Sequence, residues 1–284
     1  MLDYPALAAL AEIIRRGSFD AAAAALGVTP SAVSQRIRNL EERAGAALID
    51  RGPPVAPTEA GARLAAHLEN VRLMEAMIEG DAAPHIRIAL NADSLASWAM
   101  PALQAAPGLL DIVIDDQDHA VDWLRRGLVV AAITTTGRPL PGCNAVFLGQ
   151  MRYRATASPD FVARHFDTGI HASAMTLAPS LSFNTKDMLQ EQWARRKLGC
   201  AVTLPLVRIP SSEAFAEATR RGMGWGMNPD ALVADDLENG VLVDLDPDLP
   251  VDVPLYWQAN RMMSDALRPL EDAMKKAARE ALLP

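Results

Sequence analysis

The first 185 residues contain no lysine; the earliest is Lys186. Any cationic surface near the N-terminus must therefore be built from arginine, histidine and the terminal amine. Cysteine is equally scarce. Cys143 and Cys200 lie far apart and form no CxxC pair, which argues against a disulfide framework and leaves buried thiols as the simpler expectation. Histidines 67, 85, 119, 165 and 171 are scattered, with neither HExxH nor paired-cysteine spacing, so no metal and no cofactor is expected. No apolar run approaches the roughly 20 residues that a membrane span requires. The start, Met1-Leu2-Asp3-Tyr4-Pro5, lacks the basic and apolar regions of a signal peptide, giving a cytoplasmic expectation without a membrane partner. The GxSxG elbow of the hydrolases is missing. The glycine-rich run Gly222-Met223-Gly224-Trp225-Gly226 has no P-loop lysine and falls between a helical and a strand-like segment, the wrong order for a phosphate cradle. Nothing here points to an enzyme.

What is present is enough apolar material for two cores: 284 residues, half of them hydrophobic. The net charge of −8 does not suggest nucleic-acid binding. Up to Glu79 the arginines (15, 16, 36, 38, 43, 51, 63, 72) are even slightly outnumbered by acids. A DNA-binding surface must then depend on where charges stand rather than on their sum.

Periodicity predicts a helix from Ala6 to Arg16, a short alanine-rich helix from Ser18-Phe19-Asp20 to Leu26-Gly27, and a third opened by Thr29-Pro30 and closed by Gly45. Ala47 to Arg51 and Val55 to Pro57, joined by Gly52-Pro53-Pro54, read as a β-wing. A long helix over Thr58–Gly80 carries the stripe Leu64, Leu68, Val71, Met74 and Ile78, close to a coiled-coil seam. Asp81-Ala82-Ala83-Pro84 reads as a hinge. Beyond it, strand-like and helical runs alternate: Ile86–Leu90, Leu110–Ile114, Leu128–Thr134, Leu181–Phe183, Leu206–Ile209 and Val253–Trp257, with a last helix near Met263–Leu283. This pattern predicts a parallel sheet with crossover helices, arranged as two α/β lobes. The expected division is 1–57, 58–84 and 85–284, with a second lobe at roughly 159–258.

Two short helices joined through Gly27 form a helix-turn-helix. In the third helix Val33, Ile37, Leu40 and Ala44 share an inward face. Ser31, Gln35 and Arg38 stand opposite, beside Ser34 and Asn39, with Arg36 toward the flank. Such groups suit a major groove: glutamine pairs with adenine, arginine reads guanine, and serine serves phosphate or base. Thr29, at the helix start, and Arg51, leading into the wing, complete the candidate DNA-contacting set.

The runs Gly17–Ala23, Thr29–Glu41 and Pro57-Thr58-Glu59-Ala60-Gly61 resemble the LysR-type signature. That resemblance implies a winged helix-turn-helix, a linker helix that dimerises, and a two-lobed effector domain like that of periplasmic binding proteins. Promoter DNA is then the macromolecular partner, the chain a homodimer or homotetramer, and RNA polymerase a further partner. Asn91–Trp98, Arg125-Arg126-Gly127, Ser211–Phe215 and Leu255-Tyr256-Trp257 further resemble the ArgP (LysG) branch, which implies L-lysine or L-arginine as effector and control of amino-acid export or metabolism genes. The run Leu181–Asp187 departs from that branch at Asn184, where an Asp is expected.

A basic amino acid needs an anion site and acceptors for its cations. The turn after strand Ile86–Leu90 presents Ser94, Leu95 and Ser97 to a carboxylate, and Thr134 and Thr135 follow another strand end. Asp93, Asp116, Asp187 and Glu213, with Ser212 beside the last, are the candidate acceptors at the mouth of the cleft. Helix capping is the competing role for Asp93, Asp187 and Glu213. Two other readings of the whole chain stay open: an architectural DNA-binding protein that ignores small molecules, and a thiol-switch regulator using Cys143 and Cys200.

Overall fold

The computed structural model describes residues 3–52, 55–79, 85–115 and 120–284. The wing tip at Pro53-Pro54, the hinge at 81–84 and Asp116 lie outside the described residues.

The chain opens with α1 (Tyr4–Arg16), α2 (Phe19–Leu26) and α3 (Pro30–Ala44). Each start is fixed by a side-chain cap: Asp3 accepts from the Ala6 amide, Ser18 from Ala21 and Thr29 from Ala32. The turn between α2 and α3 needs a residue at φ +65°, which Gly27 supplies without a Cβ penalty. Strands β1 (Ile49–Asp50) and β2 (Ala56–Pro57) pair antiparallel as the wing, shorter than the sequence pattern suggests. Leu7, Leu10, Ile13, Val33, Ile37 and Leu48 are buried together with Leu68 of α4 (Glu59–Glu79).

That last contact changes the reading of the linker helix. Leu64 and Leu68 pack on the helix-turn-helix core, whereas Leu73 and Met74 pack on the core of the C-terminal domain. Leu64, Leu68 and Met74 of the stripe, together with Leu73, are thus engaged within the chain, and this part of the helix is a shared wall between two cores. A heptad-like pattern does not distinguish this from an intermolecular seam, because both need apolar residues at the same spacing.

The C-terminal domain begins with β3 (His85–Leu90), followed by α5 (Ala92–Ser94), a π-helical turn at Leu95–Ala99 and α6 (Met100–Leu103). Next come β4 (Leu109–Ile114), α7 (Ala120–Arg125), β5 (Ala131–Thr134) and the 15-residue β6 (Cys143–Ala157). The second lobe contributes α8 (Pro159–His165), α9 (Ala172–Met175), β7 (Ser180–Ser182), α10 (Leu189–Leu198), β8 (Leu206–Arg208), α11 (Ser212–Arg220), β9 (Gly226–Pro229), α12 (Asp230–Glu238) and β10 (Val243–Asp244). Then β11 (Val251–Asn260) returns through both lobes and α13 (Ser264–Ala281) closes the domain.

The sheet order is β10-β6-β11-β5-β3-β4, with β9 also on β6. Only β3 with β4 and β5 are parallel here; β6 and β11 run antiparallel to each other and to their other neighbours in this sheet. The expected parallel arrangement holds for β3, β4 and β5, while the long β6 and β11, of which the sequence pattern marks only Val253–Trp257, add antiparallel pairing to the sheet. Together they form a two-stranded spine joining the lobes. Their register shifts where Leu255 faces Gly149 and Tyr256 faces Phe147, which leaves Leu148 as the extra residue of a bulge. A separate parallel pair, β7 with β8, sits in the second lobe.

Candidate functional site

On α3, Ser31, Gln35, Arg38 and Asn39 are exposed, while Ser34 and Arg36 are half-buried. The inward face expected from the spacing is buried at Val33, Ile37 and Leu40; Ala44 is exposed at the last turn. The polar side chains are mutually ordered. Gln35 Nε2 donates to Asn39 Oδ1 at 2.7 Å, and Arg38 Nη1 donates to Gln35 Oε1 at 3.4 Å. Thr29 Oγ1 caps the helix and lies 3.0 Å from Ser31 Oγ. Arg51 is held by Glu41 at 3.2 Å and lies over the Phe19 ring, so the base of the wing is stapled to both helices of the motif. Glu41 adds to this by accepting from the Leu48 amide at 2.9 Å. The result is an exposed helix face of amide, hydroxyl and guanidinium groups, flanked by a braced wing.

The second site is a cavity of about 310 Å³ between the lobes. From the first lobe come Asn91 and Asp93 after β3, Asp115 after β4 and Thr135 after β5. From the spine and second lobe come Tyr153, the turn Phe183–Leu189, Ser212 at the start of α11, and Asn228 on β9. Asp93 crosses the cleft: its carboxylate accepts from Tyr153 Oη at 2.7 Å and from Ser212 Oγ at 2.6 Å. Asp115 also crosses it, accepting from Lys186 Nζ at 3.0 Å, and is steadied by Trp123 Nε1 at 2.9 Å. Trp123 in turn carries the Arg87 guanidinium over its ring. Asp187 accepts from the amides of Phe183 and Leu189 and so orders the turn before α10, whose N-cap position is Met188, while it also lines the cavity. Asn184 Oδ1 accepts from the amides of Lys186 and Asp187, which gives this residue a turn-forming task.

Of the residues singled out in the sequence, Asp93, Thr135, Asp187 and Ser212 meet at this cavity. Five others do not line it. Thr134 is fully buried, donating to the Thr136 carbonyl and accepting from Gln258, because successive strand residues point to opposite faces. Ser94 is buried, Leu95 packs on the core, and Ser97 Oγ returns to the Asp93 carbonyl: the helix turns these three away from the cleft that Asp93 faces. Glu213 is exposed outside the cavity.

Asn91, Asp115, Tyr153, Lys186 and Asn228 were not singled out. Asp115 is one residue from Asp116, an uncertainty that strand-end reading always carries. Tyr153 and Asn228 sit on strands, where no local motif marks them. Both polar atoms of the Asn91 side chain, and Asn228 Oδ1, are buried without a protein hydrogen-bond partner. They border a cavity where polar partners from a ligand would satisfy them.

Residues 5–62 match the profile of the bacterial regulatory helix-turn-helix protein, lysR family, and residues 79–279 that of the LysR substrate binding domain. The HTH-type transcriptional regulator LysG of Mycobacterium tuberculosis (strain H37Rv) is 44% identical over 287 residues, covering 98% of this chain and 94% of the relative. The crystal structure of ArgP from Mycobacterium tuberculosis superposes with a TM-score of 0.84 at 42% identity, covering 100% of this chain and 99% of that one. Full-length LysG from Corynebacterium glutamicum with bound effector Arg gives a TM-score of 0.71 at 36% identity, with both chains covered completely.

Proposed function

The chain belongs to the LysR family of bacterial transcriptional regulators, and from that premise we propose that it senses a basic amino acid, L-lysine or L-arginine, in the cavity between its lobes. The observation that carries this reading is the charge of the lining: among the described residues, three carboxylates, Asp93, Asp115 and Asp187, against one ammonium, Lys186. A cavity of about 310 Å³ suits a small ligand. The arginine bound to the Corynebacterium relative, which shares this fold along its whole length, supports the same choice. In this reading Asp93 and Asp115 receive the cations, Asn91 and Asn228 contribute buried amides, and the acids dominate selectivity.

The remaining steps of the proposal concern DNA. Two copies pair through the helix at 58–80 and present two α3 helices to a promoter with partial two-fold symmetry, as a dimer or as a tetramer built from two dimers. The division of labour is 1–57 for DNA, 58–84 for linkage and 85–284 for the effector, with the second lobe spanning roughly 159–258. The effector acts by binding one arrangement of the lobes better than the other, since only differential affinity shifts such an equilibrium. The readout is altered contact with DNA or RNA polymerase at genes for amino-acid export or metabolism, in the cytoplasm.

The test is calorimetric titration of the full chain with L-lysine, L-arginine and L-norleucine, which keeps the lysine chain length but lacks the distal cation. Selective binding of a basic amino acid is expected. Equal binding of norleucine, or no binding of any of the three, overturns the effector assignment and leaves the family untouched.

A further inference from the structure

Among the described residues Lys186 is the one cationic residue lining the cavity, and its Nζ is on Asp115 Oδ1 at 3.0 Å. The pair joins the two lobes, its members 71 positions apart in the chain. Resting on the basic-amino-acid reading above, we infer that Lys186 is a tethered surrogate for the effector's cation: it pairs with Asp115 and competes with the ligand for it, which makes it a determinant of affinity and selectivity.

Three features of the geometry support displacement rather than a fixed structural role. The turn that carries Lys186 is held by other groups: Asn184 Oδ1 binds the amides of residues 186 and 187, and Asp187 binds the amide of Phe183. Its backbone therefore does not depend on the ammonium. Asp115 stays in position when Lys186 leaves, because Trp123 Nε1 holds its other oxygen at 2.9 Å. Finally, the Lys186 side chain is 42% exposed, so its departure returns an ammonium to water and not to a dry interior. Pairs of this exposure contribute little to folding. An incoming guanidinium or ammonium thus meets a positioned carboxylate whose bond to Lys186 is weakly retained. Arginine, with a planar fork of donors, displaces a single-point ammonium more effectively than lysine does.

The experiment titrates full-length wild type, Lys186→Met and Lys186→Arg side by side with L-arginine, L-lysine and L-norleucine, after thermal melting has checked that each variant is folded. Lys186→Met removes the competitor and keeps the stem length, so both basic ligands should bind roughly fivefold tighter, equivalent to about 1 kcal/mol, the upper end for an exposed pair. Norleucine should be unaffected, and Lys186→Arg, which retains a competing cation, should not show the gain. Unchanged or weaker binding of basic ligands by Lys186→Met, with wild type binding them normally, overturns the competition and leaves the effector reading intact. A gain that norleucine shares equally also overturns it. Binding by neither wild type nor Lys186→Met overturns both, whereas binding that emerges only in Lys186→Met supports the surrogate.

Discussion

Replacing Gly61 with alanine sets two known effects against each other and lets the structure decide. Gly61 lies in the first turn of α4, beside the wing. In a helix, alanine is favoured over glycine by about 1 kcal/mol, so propensity alone says that Gly61→Ala stabilises the protein. The packing says otherwise. A Cβ at this position falls 1.9 Å from the Leu48 carbonyl oxygen and 2.9 Å from its carbonyl carbon. Even a close C···O contact needs about 3.3 Å, so the helix and the backbone at Leu48, just before β1, must move apart by more than 1 Å. The obstacle is backbone and has no rotamer to change. The same carbonyl accepts from the Thr58 amide at 3.0 Å, and Thr58 Oγ1 donates to the Ala47 carbonyl at 2.7 Å, so separation also strains the helix cap. Overpacking costs about 1–3 kcal/mol and a lost hydrogen bond about 1 kcal/mol. After the propensity gain is subtracted, the helix-turn-helix domain should lose about 1–3 kcal/mol. All five tryptophans, at 98, 123, 193, 225 and 257, lie in the C-terminal domain, so indole fluorescence does not report on this loss. Amide hydrogen exchange resolved to residues 5–50 does. Protection should fall in α1 and α3 while the sheet of the C-terminal domain is unchanged, and operator affinity should fall with it. Increased protection in the head of Gly61→Ala would show that the helix slides freely past Leu48 and would refute the reasoning.

Three further outcomes follow from the same contacts. Arg38→Ala or Gln35→Ala should weaken specific operator binding by about 1–3 kcal/mol in a fluorescence anisotropy assay, while non-specific DNA affinity changes less; full retention of specificity would remove that residue from base reading. Asp93→Asn keeps the size of the side chain, accepts from one of the hydroxyls of Tyr153 and Ser212 and donates its NH2 to the other, but removes the charge, so a basic amino acid should bind at least tenfold more weakly, in line with about 1.5–3 kcal/mol for a hydrogen bond to a charged group; unaltered affinity by calorimetry would move the cation to another carboxylate. Asp252 is held below the ordinary carboxylate range chiefly by its hydrogen bond from Arg152. A lowered carboxyl stabilises the folded state above its unfolded pKa and ceases to do so as pH falls through the folded value. The melting temperature of Asp252→Asn should therefore lie below wild type at pH 7, and the gap should close on acidification below about pH 4; a constant gap across that range would contradict the charge assignment.

The sequence made the DNA-binding head legible because each of its features is local. Caps at Ser18 and Thr29, Pro30 at the first helical position, Gly27 in the turn and a 3.6-residue stripe at Val33, Ile37 and Leu40 all act over a few residues, so their spacing carries the geometry. The cavity is a different kind of object. Its walls come from strands far apart in the chain, and which side chain faces inward depends on strand phase to a single residue. Thr135 faces the cavity and Thr134 does not; Asp115 is a wall and the candidate chosen from the sequence was its neighbour. Tyr153 stands in an alternating run, Met151-Arg152-Tyr153-Arg154-Ala155, that signals a strand with one buried face, but its place at the cavity depends on the elements opposite and not on this run. Asp93 was found for a partly different reason than the one it satisfies: an acid at a helix start is ordinary capping chemistry, yet its carboxylate reaches across to Tyr153 and Ser212 of the other side. Asp187 likewise has two tasks, ordering its own turn while bordering the cavity. A carboxylate that appears as a cap in one dimension therefore becomes a ligand group only when the fold sets a second lobe opposite it, and that is information carried by the β6–β11 spine, whose register no local motif encodes.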